Sequence, residues 1–200
     1  MNRIITIGRE FGSGGREIGR RLAEKLGYAY YDNEIITEIS KKTELSEKYV
    51  QSVIERKPLI SYPIHIGGTF YTLPSVQLEQ STMIYKEQCN ILKEMADRSD
   101  CIVVGRCGDH ILRDYSPTRI FVYADMASKI QRCRLKGGED EKLSDNELKK
   151  KITSVDKHRA EYYNFYTGKK WGDKSNYDLC INTTDKDVKD IVERLAKFVL

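Results

Sequence analysis

The sequence predicts an α/β protein in which five short, mostly parallel strands form one sheet covered by helices on both faces. Three observations carry this. Apolar runs of about four residues recur along the chain, segments with helical periodicity separate them, and a glycine-rich turn joins the first run to the first helix. The 200 residues, 40% hydrophobic and 32% charged, suffice for one folding unit with a substantial core, or for one domain with a small inserted lobe.

In chain order, Ile4, Ile5 and Ile7 mark the first strand, and Ile18, Leu22 and Leu26 recur every fourth position as the inner face of a helix. Tyr28–Tyr31 is the second strand. Asp32 follows it and is placed either to cap a helix over Glu34–Lys42 or to face a ligand at the strand end. A short helix starts at Ser46 and runs through Ile54 toward Pro58. Lys57–Pro74, with three of the four prolines and Gly67-Gly68, reads as a small hairpin or an exposed excursion. A long helix then spans Val76 to about Arg98.

Cys101–Val104 is a continuous apolar run expected of a strand buried on both faces, with Gly105 and Arg106 at its end and Asp109 and His110 in the next helical turn. Arg119–Tyr123 is the fourth strand, and the helix after it carries Arg132 and Arg134. KGGEDEKL forms a loop, and Ser144 with Glu147 forms a capping box for another long helix. Tyr177–Ile181 is the fifth strand, and Thr184 is expected to cap the last helix.

Two features point to anion chemistry. The stretch RIITIGREFGSGGREIGRRLAEKLG is strand, glycine loop and helix, a pattern in which backbone N–H groups and a helix N-terminus can cradle a phosphate. It is not a strict G-x-x-x-x-G-K-[ST] loop, because Gly15 holds the lysine position and Arg16 or Glu17 the hydroxyl position. A purely geometric glycine turn is the competing reading. The second feature lies on the late helix, whose apolar stripe Leu148, Ile152, Val155, Arg159, Tyr162, Tyr166 contains an arginine. That charge requires a neutralising partner, with Asp156 within helical reach and an anionic ligand as the alternative. Arg106, at the end of a central strand, is placed for phosphate in the same way.

Composition excludes several classes. The 34 basic and 30 acidic residues are well mixed, without the basic stripe of a nucleic-acid binder. Apolar runs fall far short of the roughly 20 residues of a membrane helix. Five cysteines without a C-x-x-C pair fit reduced thiols and a cytoplasmic protein rather than a disulfide framework or zinc site.

The motifs ITIGREFGSGGREIG, YYDNEII, VVGRCGDHIL and DKHRAEYYNFYTGKKWGD resemble the cytidylate kinase-like family of P-loop nucleoside monophosphate kinase relatives, across nearly the whole chain. The resemblance implies a three-layer P-loop kinase-like fold with a core over 1–45 and 99–200. It also implies a small, helical acceptor-side lobe over about 46–98 and a lid region over about 132–172. It implies ATP with Mg²⁺ on the loop Gly12, Ser13, Gly14, Gly15 and Arg16; Glu17, next in sequence, offers the metal a hard oxygen ligand on its own chemistry. Asp32, Arg106 and Asp109 fall on the acceptor side, and Arg16, Arg132 and Arg159 serve the transferring phosphoryl group. The expected function is ATP-dependent phosphotransfer to a nucleoside monophosphate or a similar small phosphorylated acceptor. The alternative is a nucleotide or phosphometabolite binding protein that keeps the fold without the chemistry. True cytidylate kinases carry a lysine where Gly15 stands, a Ser/Thr at Arg16 or Glu17, and an aspartate at Val104. A missing lysine must therefore be made good by Arg9, Arg16 or Arg159 if transfer is to occur. The aromatic stretch Tyr162–Trp171 is compatible with a homo-oligomer.

Overall fold

The computed structural model of the chain describes residues 2–54, 64–66, 69–71, 76–135 and 143–199, with the backbone alone for 64–66, 69–71 and 76–77. Five parallel strands form the central sheet: β1 (Ile4–Arg9), β2 (Ala29–Tyr31), β5 (Cys101–Val104), β6 (Thr118–Tyr123) and β7 (Leu179–Asn182), in spatial order β2-β5-β1-β6-β7. Registers such as Ile7 opposite Val104 and Ile120 bring the C-terminal ends of β1, β5 and β6 to one edge. Between β2 and β5, an antiparallel hairpin pairs β3 (Ile64–Ile66) with β4 (Thr69–Tyr71), as the Gly-Gly signal implied. The KGGEDEKL loop lies outside the described residues apart from Leu143.

Strand alternation explains the layers. Ile4, Cys101 and Val103 face one side and pack with α2 (Glu34–Thr43), α3 (Glu47–Ile54), α4 (Val76–Arg98) and α7 (Asp145–Thr167). Ile5, Ile7, Ile102, Val104, Ile120 and Val122 face the other and pack with α1 (Gly15–Leu26) and α8 (Val188–Val199). Cys133 of α6 (Met126–Leu135) meets Leu148 and Ile152 of α7 in a third, small cluster that Phe11 borders. A four-residue helix, α5 (Gly108–Ile111), follows β5. No helix among the described residues is long and apolar enough to cross a membrane.

Two expected caps are corrected. The residue preceding α2 is Asn33, and Asp32, one position further out, turns its carboxylate to arginines instead of to the helix. Thr184 accepts a hydrogen bond from Asp125 N–H, while Asp187 caps the first turn of α8 by accepting from Lys189 N–H at 2.6 Å. The Ser144–Glu147 capping box forms as expected, with Ser144 N–H donating to Glu147 Oε2 at 2.8 Å.

Candidate functional site

β1 ends at Arg9, and the chain turns through Glu10–Gly14 into α1. The turn requires glycine at 12 and 14, where φ is +74° and +84°. At Gly12 a Cβ would also press within 3.0 Å of the Lys129 carbonyl. The loop is pinned from three directions. Ser13 Oγ donates to the Glu10 carbonyl at 2.8 Å, the buried Thr183 hydroxyl donates to the Ser13 carbonyl at 2.8 Å, and Phe11 N–H donates to Asp156 Oδ1 at 2.6 Å. Asp156 and Glu10 together hold the Lys129 ammonium, at 3.2 and 2.6 Å, in a position where that side chain is 7% exposed. Burial pushes the Asp156 carboxyl up from the ordinary range, against the pull of the Phe11 N–H, Lys129 and Arg159. These bonds tie the loop to α6 and α7.

Gly14 is the N-cap of α1, and no side chain caps that helix. Its first-turn N–H groups, which have no acceptor within the helix, border a cleft lined by Gly12, Gly14, Gly15, Arg16, Arg9 and Arg159. Arg132 lies beside Gly14, and its guanidinium donates to the Thr183 carbonyl through Nη2. Its Nη1 is buried without a hydrogen-bond partner among the described residues. Glu17 is ion-paired with Arg21 at 2.8 Å, and among the described residues no group of three His, Cys, Asp or Glu side chains is placed to hold a metal.

A second cavity opens beyond β5. Gly105, Arg106 and Cys107 all adopt the left-handed region, with φ of +73°, +59° and +53°, which costs about 1 kcal/mol or more at each non-glycine residue. Gln88 Nε2 holds this turn by donating to the Arg106 carbonyl at 2.9 Å, so that Arg106 lines the cavity. Arg9, Arg16, Arg159, Asp109 and Trp171 also line it. Tyr163 O–H donates to Asp109 Oδ2 at 2.6 Å, and burial raises the pKa of both groups. Trp171 packs edge-on against Phe121.

Asp32, 3% exposed, binds Arg16 Nε at 2.6 Å and faces Arg9 Nη2 at 3.6 Å. Burial, followed by the guanidinium of Arg159, pushes the pKa of Arg9 well down. Arg106 and Arg16 add to this, and Asp32 opposes it. Arg9 thus stands in the field of three other guanidiniums and one carboxylate, an excess of positive charge that an oxyanion would relieve. Arg159 does not snorkel past the rim of α7. Its Nη1 donates to the Arg9 carbonyl at 3.3 Å, it faces Asp156 at 3.7 Å, and it stands 5.7 Å from the Phe11 ring centroid. Arg9, Arg16 and Arg159 line both cavities, whereas Arg132 lines neither.

The structure therefore brings Gly12–Arg16, Asp32, Arg106, Asp109 and Arg159 into one region and sets Arg132 and Glu17 at its margin. The Lys129–Glu10–Asp156 triad and the Thr183 tether had no signal in the sequence. The path of Arg9 left one trace, a glycine at the lysine position.

A parallel α/β sheet with a glycine loop after its central strand and an arginine-lined cavity beside it defines a P-loop kinase-like protein. The chain belongs to the cytidylate kinase-like family, whose model matches residues 4–185. It is similar over 99% of its length to 98% of an uncharacterized protein from Eubacterium ventriosum, at 26% identity and a TM-score of 0.72. It shares its fold with two shikimate kinases. One, from Bacteroides thetaiotaomicron, has 14% identity and a TM-score of 0.59, with 98% of each chain covered. The other, from Acinetobacter baumannii in complex with shikimate, has 16% identity and a TM-score of 0.55, with 100% of this chain and 93% of that one covered. Comparison with curated protein sequences finds no match.

Proposed function

We propose that this protein is a phosphotransferase that moves the γ-phosphoryl group of ATP to a small phosphorylated acceptor, a nucleoside monophosphate or a compound of like charge. The observation that carries the reading is that Arg9, Arg16 and Arg159 each line both the loop cleft and the second cavity. A phosphoryl group passing from one cavity to the other must cross that row of guanidiniums. Phosphoryl transfer depends on positioning and on charge neutralisation more than on covalent help from the protein, and that is what such a row supplies.

The residues present fit a nucleotide triphosphate. The glycine cradle admits close approach, the α1 N-terminus has no side-chain cap, and at the margin Arg132, whose Nε stands near Gly14, keeps a buried Nη1 without a hydrogen-bond partner among the described residues. The fit to a metal cage is poorer. Glu17 is the carboxylate in the first turn that could hold Mg²⁺, with nucleotide and water oxygens completing its shell. ATP supplies the activated phosphoryl group. The loop N–H groups orient it, Arg159 and Arg16 neutralise charge at the crossing point, and Arg106 with Asp109 positions the acceptor. In this reading, residues 46–98 are the acceptor lobe and 132–172 the lid, parts of both lying outside the described residues.

The test is purified protein with Mg-ATP and a panel of monophosphates, following ADP release. Acceptor-dependent ADP is expected, falling about 100-fold or more in Arg159→Ala. Turnover that survives Arg159→Ala removes Arg159 from the mechanism. Tight ATP binding without turnover on any acceptor supports the non-catalytic binding protein instead.

A further inference from the structure

We infer that Arg9 is the cation that replaces the lysine missing from the phosphate loop. It is delivered from the strand before the loop, where the usual lysine comes from the helix after it, and Gly15 is a glycine because the base of the Arg9 side chain stands against it. The inference rests on the phosphotransferase reading and deepens it.

The first support is the reason for Gly15. Its φ is not in the left-handed region, so backbone conformation does not demand glycine there. Space does. A Cβ at Gly15 would stand 2.5 Å from Arg9 Cβ, 3.1 Å from Arg9 Cγ and 3.3 Å from Val122 Cβ. The position that carries lysine in a strict P-loop cannot carry any side chain while Arg9 lies across it. The second support is at the other end of the same side chain. A Cβ at Gly105 would fall 1.6 Å from Arg9 Nη1, so the guanidinium occupies the space a larger residue would fill. Arg9 is anchored at its base by the β1–β6 ladder, opposite Val122.

Position and chemistry separate Arg9 from the other candidates. Its side chain is 12% exposed, against 23% for Arg159 and 54% for Arg16. It lines both cavities and emerges from the strand on which the loop is built. A guanidinium stays protonated and offers a planar fork to phosphate oxygens, so it can serve in a confined lane where a mobile ammonium is not needed. In the transfer, an acceptor oxygen forms a bond to the γ-phosphorus while the bond from that phosphorus to the β,γ-bridging oxygen breaks. The electron pair leaves with ADP. Arg9 gives up no proton, and its charge offsets the negative charge on the transferring group.

The experiment compares wild type, Arg9→Met, Arg9→Gln, Arg9→Lys, Gly15→Lys and the double variant Arg9→Gly/Gly15→Lys. It measures ADP formation and, by calorimetry, affinity for ATP and for ADP. Arg9→Met keeps an unbranched stem in the lane without charge, and is expected to lose at least 100-fold in turnover and most of any preference for ATP over ADP. Arg9→Lys should retain part of both. Arg9→Gln, which keeps a polar end without charge, should reproduce the Arg9→Met loss, and it carries the test if Arg9→Met does not fold. Gly15→Lys alone should lose activity, because its Cβ meets Arg9 Cβ, and Arg9→Gly/Gly15→Lys, which removes that Cβ, should recover at least 10-fold relative to Arg9→Met. Turnover within threefold of wild type in Arg9→Met overturns the inference while the phosphotransferase reading stands. If wild type turns over no acceptor, that reading fails on its own. Arg9 is then judged by binding: an ATP-over-ADP preference lost in Arg9→Met upholds its role on the phosphates, and an unchanged preference overturns it.

Discussion

Asp32→Asn tests the electrostatics of the site without touching the loop. The carboxylate is 4% exposed at its side chain and is the counter-charge for Arg16 at 2.6 Å and Arg9 at 3.6 Å. Removing one partner of a buried ion pair costs about 3–5 kcal/mol, because the other charge is left without compensation. The Arg16 side chain is 54% exposed and can turn to water, so its share is small. The Arg9 side chain is 12% exposed and has less access to water. The lower end of the range, about 3 kcal/mol, is therefore expected, equivalent to a fall in Tm of about 6–12 °C for a chain of this length. Thermal unfolding with a titration of pyrophosphate is the assay. The anion should raise the Tm of Asp32→Asn more than that of wild type, since it replaces the missing negative charge among the same four guanidiniums. A variant that melts within about 2 °C of wild type, or one that pyrophosphate stabilises less than wild type, would refute the reasoning.

Three further predictions follow from single contacts. Thr183→Val removes the donor to the Ser13 carbonyl at 2.8 Å in a fully buried position. It should cost about 1–2 kcal/mol and weaken ATP binding, read by urea unfolding and calorimetry. Ser144→Ala breaks the capping box of α7 and should cost about 1 kcal/mol in urea unfolding, with no change in ATP affinity. Asp109→Asn keeps an acceptor for Tyr163 O–H and removes a charge whose pKa burial holds above its ordinary value. The folded protein binds that proton more tightly than the unfolded chain, so stability is lost as pH rises from the ordinary carboxylate range to the raised folded pKa, and the loss is complete above it. Asp109→Asn should be the more stable protein at pH 7, with the difference shrinking as pH falls through the raised pKa and absent below the ordinary carboxylate range. A pH-independent difference in unfolding free energy would contradict this.

The centre of the sheet was legible because its strands are buried on both faces and read as apolar runs, as CIVV at 101–104 does, whereas the edge strands β2 and β7 are half-buried. Helix α4 was legible over its whole span, and α7 announced itself through its capping box. Arg159 was also legible, as a charge interrupting an apolar stripe, and Asp156 lies beside it at helical spacing as expected. What escaped the sequence depends on contacts across the fold. The Lys129–Glu10–Asp156 triad joins three distant segments and leaves no periodic trace. Asp32 reads as a helix cap locally, and only the approach of Arg9 and Arg16 redirects it. Thr184 gave way to Asp187 because α8 begins later than its polar flank suggests. Arg106 and Cys107 are left-handed without being glycine, a conformation imposed by the turn between β5 and α5.

The central claim is that the loop cleft and the arginine-lined cavity are the two halves of one transfer site. Phosphorus NMR of the protein with Mg-ATP and an acceptor monophosphate tests it most directly. The account predicts that the γ-phosphorus resonance of ATP declines in step with the appearance of ADP and of a new phosphorylated product, and that Arg159→Ala suppresses all three changes. ATP resonances that broaden on binding yet persist unchanged with every acceptor, or that give ADP and inorganic phosphate alone, would contradict it.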